Sequence, residues 1–150
     1  MNNDYLPSNQ GNPTGFGLKV GLVGGLLIMA ANLLVFFING ADPRGDGVVW
    51  ILQVISYFFL GRLAASRQAE AQLYTYEPTR GIVGAGVGAP LVTSFLVWLY
   101  IIVRGLIQDA MGILVLVEPF SLCGWIFVDV LLALGIGNWM GRSVEKHHNY

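Results

Sequence analysis

Asp129 is the residue in this sequence best placed to do chemistry. It stands near the centre of an otherwise uncharged stretch, Phe120 to Met140. At the middle of a membrane an ionised carboxylate costs on the order of 3 kcal/mol even on permissive insertion scales, so it must face polar groups. Spacing of four puts Asp129, Ala133, Gly137 and Gly141 on one stripe of a helix, and the acid therefore shares a face with small residues that pack inward. Other apolar stretches are interrupted at similar depth by Asn32, by Gln53 and Ser56, and by Thr93 and Ser94. Asn32 is expected within about 3 Å of Asp129 in depth, counting about 1.5 Å of rise per residue. The expectation is a polar layer at the membrane midplane, centred on Asp129, with one contribution from each of four helices.

Such a layer supports two chemistries. The amides and hydroxyls can satisfy the acid and fix helix register, each bond contributing about 0.6–2 kcal/mol. Alternatively, Asp129 takes up and releases a proton or binds a cation in a transport cycle. No basic residue lies at its depth, and apolar surroundings favour the neutral acid.

Other chemistries are set aside. The histidines are His147 and His148, beyond the last apolar stretch, so no span offers a histidine ligand to haem; adjacent histidines at a chain end read as solvated rather than as metal ligands. The lone Cys123 reads as a small apolar filler and excludes an internal disulfide or a cysteine-based metal site. Glycines at 81, 84, 86 and 88 lack the Gly-Lys-Ser/Thr ending of a phosphate loop. No serine, histidine and aspartate arrangement stands out, and no cofactor or metal site is expected. Asp109, Glu118 and Arg104 cluster near one interface, a thin basis for a lipid-acting enzyme.

The elements that must position these residues follow from composition. Of all residues 55% are apolar and 11% charged, where a soluble domain carries about 25% charge. An all-α integral membrane protein is expected, with four transmembrane helices at about 20–39, 48–65, 81–103 and 120–140 arranged as two hairpins. Arg62 interrupts the second span and can snorkel to an interface. Lys19, Arg62, Arg67, Arg80, Arg142 and Lys146 fall on one side, against Arg44 and Arg104 on the other, so both termini are expected in the cytoplasm. Trp50, Trp98, Tyr100 and Trp125 read as an outer aromatic belt and Trp139 as an inner one.

Residues 1–17 read as a flexible cytosolic tail, 18–143 as the four-helix domain and 144–150 as a second cytosolic tail. The 40–47 turn should join neighbouring helices, and the polar 62–80 connection can prolong the second helix into the cytosol by two or three turns. Its charges are mixed, and no nucleic-acid partner is expected. Segment 105–119 is expected along the outer interface; if instead it extended the fourth helix, Pro119 would kink it.

Gly17, Gly21 and Gly25 recur every four residues along the start of the first helix, Gly84 and Gly88 do so in the third, and Gly137 and Gly141 close the fourth. In lipid such stripes, of glycine-zipper type, let backbones approach and are the expected helix-packing faces. Pro90 is expected to free a carbonyl near residue 86 and to act as a hinge. A basic residue followed by Gly-aliphatic-Val-Gly near Lys19 and again at Arg80 suggests a repeat relating the two halves.

Function is expected to be non-enzymatic: an accessory or structural subunit packing through Gly-rich faces against a larger membrane complex, in the lipid bilayer of a prokaryotic inner membrane. The alternative is a small transporter or channel, a homo-oligomer coupled to protons or cations through Asp129.

Overall fold

The computed structural model describes residues 13–39, 43–72, 81–112 and 119–148, and among them every long element is helical. The helices are α1 (Pro13–Asn39), α2 (Pro43–Gln72), α3 (Ile82–Ala110) and α4 (Pro119–His148). All four are long and apolar enough to cross a membrane, so by length and composition this is an integral membrane protein. At about 1.5 Å per residue they reach roughly 40–45 Å, longer than a hydrocarbon core of about 30 Å.

Local chemistry explains where the helices start and stop. Three of the four begin on a proline, Pro13, Pro43 or Pro119, whose missing N–H falls where a helix has no internal acceptor for it. Pro119 therefore opens α4 and does not kink it. The expected interfacial path of 105–119 is corrected over its first part. Residues 105–110 continue α3, which ends where Met111 N–H bonds Ile107 O and Gly112 adopts φ 73°, a left-handed conformation open to glycine. Residues 113–118 lie outside the described residues. α2 runs past the expected Ala65 to Gln72, because Ala64, Ala65, Gln68, Ala69 and Ala71 are good helix formers beyond the apolar run. The expected tails are likewise partly helical, from Pro13 in the first and through His148 in the second.

α2 and α3 touch each other and both remaining helices, whereas α1 and α4 do not meet among the described residues. The section is thus a rhombus with α2 and α3 on its short diagonal. A two-fold repeat of the halves would exchange the α1/α4 pair with the α3/α2 pair, so this packing departs from the repeat that the sequence suggests. Three apolar clusters fill the contacts. Tyr57, Ala133 and Ile136 join α2 to α4; Ala64, Ala85 and Ala89 pack with Val20 and Leu60 from α1 and α2; Ala65, Ala69, Ile82 and Val144 close one end.

Small residues set the spacing. A methyl group built on Gly17 would stand 3.0 Å from Ala85 O, one on Gly21 2.7 Å from Ala89 O, and one on Gly25 2.7 Å from the Leu96 side chain, so α1 lies against α3 along these positions. Gly88 meets Gly17 at ordinary contact distance. Gly84 does not belong to the stripe, since none of the described residues comes within 4 Å of a methyl built on it. Gly86 takes that part. A methyl on it would stand 2.9 Å from Gly141 Cα, and a methyl on Gly137 would stand 2.7 Å from Gly86 O. Pro90, buried inside α3, has no N–H to offer Gly86 O, and this carbonyl faces the glycine backbones of α2 at Gly61 and α4 at Gly137.

Candidate functional site around Asp129

Asp129 is fully buried, and four side chains from two other helices donate to a single one of its oxygens. From α2, Gln53 Nε2 lies 3.0 Å and Tyr57 OH 2.8 Å from Oδ2. From α3, Ser94 Oγ lies 2.6 Å and Trp98 Nε1 2.8 Å from the same atom. Gln53 Nε2 also donates to Tyr57 OH across 2.6 Å, which links the two α2 donors. Oδ1 is buried and has no hydrogen-bond partner. Four donors match the acceptor capacity of a whole carboxylate, yet here they all converge on one oxygen.

Helical spacing assembles this set. Gln53 and Tyr57 are four residues apart on α2, as are Ser94 and Trp98 on α3, so each helix presents two donors from successive turns of one face. On α4, Ala133 and Ile136 follow Asp129 on the inward face and pack with Tyr57. One turn toward the N-termini of α2 and α4, Trp50 and Trp125 meet edge to face with ring centroids 5.5 Å apart, placing an aromatic pair beside the polar group. Asp129 makes no ion pair among the described residues, and the side chains that donate to it are neutral. Arg67 pairs with Glu70 at 3.7 Å, exposed near the end of α2.

Of the residues expected around Asp129, the structure brings Gln53 and Ser94 to it and sends the others elsewhere. Asn32 donates to Ile28 O of its own helix, 3.2 Å away, and α1 does not reach α4. Ser56 donates to Gln53 O within α2. Thr93, adjacent to Ser94, points about 100° away around the helix and donates to Gly21 O on α1 across 3.1 Å. The layer is therefore contributed by α2, α3 and α4, not by all four helices. Tyr57 and Trp98 complete it and were not among the expected residues. Trp98, which reads from sequence as part of the outer belt, instead points its indole N–H to Asp129. The i, i+4 spacing of Tyr57 from Gln53 and of Trp98 from Ser94 was the signal that could have found both.

The chain was compared with protein-family models, with curated proteins and with solved structures, and none of them matches it.

Proposed function

We propose that this chain is a non-enzymatic accessory or structural subunit that docks against a larger membrane complex, with both termini on the cytoplasmic side of a prokaryotic inner membrane. The observation that carries the reading is a glycine face on the outside of α4. Gly124 and Gly135 lie about three turns apart and share a side with Val128 and Leu131, both exposed. None of the described residues comes within 4 Å of a methyl built at either glycine. Glycine inside a helix costs about 1 kcal/mol relative to alanine, and no contact among the described residues offsets that cost here. In lipid, the return from such a face is close approach of another helix backbone. The docking reading therefore rests on this open pair and not on the glycine stripes packed inside the bundle. The orientation is supported by the gathering of Lys19, Arg62, Arg142 and Lys146 toward the end closed by Ala65, Ile82 and Val144.

The test is the native mass of the protein in mild detergent, with co-migrating chains identified, for wild type and for Gly124→Leu/Gly135→Leu. The reading expects wild type in a stoichiometric larger complex and the variant released from it while still folded. Wild type migrating without other chains would defeat it. A second reading, an oligomeric transporter or channel coupled to protons or cations with Pro90 as hinge, is favoured by one feature, the unpartnered Oδ1 of Asp129. Uptake driven by an ion gradient into vesicles, lost in Asp129→Asn, would support it.

A further inference from the structure

We infer that Asp129 is a proton-binding site, in which an exchangeable proton resides on Oδ1 while Oδ2 remains the acceptor turned toward Gln53, Tyr57, Ser94 and Trp98. The inference goes beyond the docking reading and does not depend on it.

The asymmetry of the site is its basis. In a carboxylate the charge is shared by both oxygens, so four donors on Oδ2 and none on the buried Oδ1 leave part of that charge without a partner. In the neutral acid the two oxygens differ: a carbonyl oxygen accepts, and a hydroxyl oxygen carries the proton. Oδ2 then fits the carbonyl and Oδ1 the hydroxyl, and a neutral group lacking a partner costs less than a charged one. In the ionised form the same oxygen still accepts from neutral donors on α2 and α3. Binding adds one proton to Oδ1, makes one O–H bond and changes no other bond. The Tyr57 and Ser94 hydroxyls can turn about their C–O bonds as the acceptor capacity of Oδ2 changes, so the proton can come and go without moving α2 or α3.

The donor chemistry selects a proton over a metal cation. Trp98 can only donate, and the Gln53 amide turns its NH2 toward the acid, so two of the surrounding groups present hydrogens where a cation needs oxygens. Among the described residues no group of three or more histidine, cysteine, aspartate or glutamate side chains could hold a metal ion, so Asp129 lacks the carboxylate company a hard cation takes. No charged neighbour competes for the role. α2 faces Asp129 with Gln53 and Tyr57, α3 with Ser94 and Trp98, α1 does not reach α4, and on α4 itself the neighbouring turns carry Trp125 and Ala133. Tyr57 is the one other titratable group in that set.

The test uses the full chain with carbon-13 at its aspartate carboxyls, in phosphatidylcholine vesicles, with the carboxyl resonances followed against pH and against exchange of sodium for choline. Asp129→Asn assigns the resonance; should that variant fail to fold, nitrogen-15 at the tryptophan indoles identifies Asp129 in wild type through its bond to Trp98. The expected result is an Asp129 resonance that moves between its acid and carboxylate positions with pH and is indifferent to sodium. A resonance fixed across the whole pH range in which the protein stays folded would overturn the inference. So would movement with sodium at constant pH. Failure of the docking experiment would leave either result unchanged.

Discussion

The indole N–H of Trp98 on α3 lies 2.8 Å from Oδ2 of Asp129 on α4, and this bond turns a residue of apparent belt character into part of the polar centre. It also makes Asp129 the meeting point of three helices, because the other donors to that oxygen come from α2 and from the preceding turn of α3. In a setting where apolar burial gives little drive between helices, such bonds carry an unusual share of tertiary specificity.

Trp98→Phe removes the donor while keeping most of the ring. It should lower the unfolding free energy by about 1 kcal/mol, the worth of one such bond. Trp139, 63% exposed, meets Phe58 edge to face, and Trp139→Phe retains a ring there. Its effect should stay within about 0.5 kcal/mol. Denaturant titration in mild detergent, read by circular dichroism, compares the two. Equal losses would remove Trp98 from the polar centre.

Gln53 and Tyr57 act together, since Gln53 bonds both the Tyr57 hydroxyl and the acid. A double-mutant cycle with Gln53→Met and Tyr57→Phe should therefore give a coupling energy of about 0.5–2 kcal/mol. Additive losses would mean that the two side chains reach Asp129 independently.

The glycines separate by position. Gly21→Ala and Gly137→Ala each force a methyl to 2.7 Å from a backbone oxygen, and each should destabilise by about 1–3 kcal/mol. Gly84→Ala meets open space and should be neutral or stabilising by up to about 1 kcal/mol through helix propensity. Unfolding midpoints of the three variants decide the matter, and a Gly84→Ala loss as large as the others would contradict the packing described here.

The spans and the central acid were legible because charges punctuate apolar sequence so sparsely: Arg62, Arg80, Arg104 and Arg142 mark span ends, and Asp129 stands alone between them. Gln53 and Ser94 were legible for the same reason. Depth along a helix follows from counting residues, but lateral neighbours do not. Asn32 matches Asp129 in depth and still belongs to a helix that never reaches α4. Thr93 and Ser94 share a depth and diverge by direction, one to Gly21 O and one to Asp129. Gly84 and Gly86 illustrate the same limit, since a stripe of small residues says that some helix comes close without saying which face it takes.

The most direct test of Asp129 as the acceptor joining α2 and α3 to α4 is the unfolding free energy of Asp129→Asn and Asp129→Leu beside wild type, in the same detergent. Asparagine keeps a carbonyl oxygen for the donors and should remain within about 1 kcal/mol of wild type. Leucine has similar bulk but strands buried donors at about 1–3 kcal/mol for each one left unpaired, so it should lose at least about 3 kcal/mol. A leucine variant as stable as wild type would contradict the account.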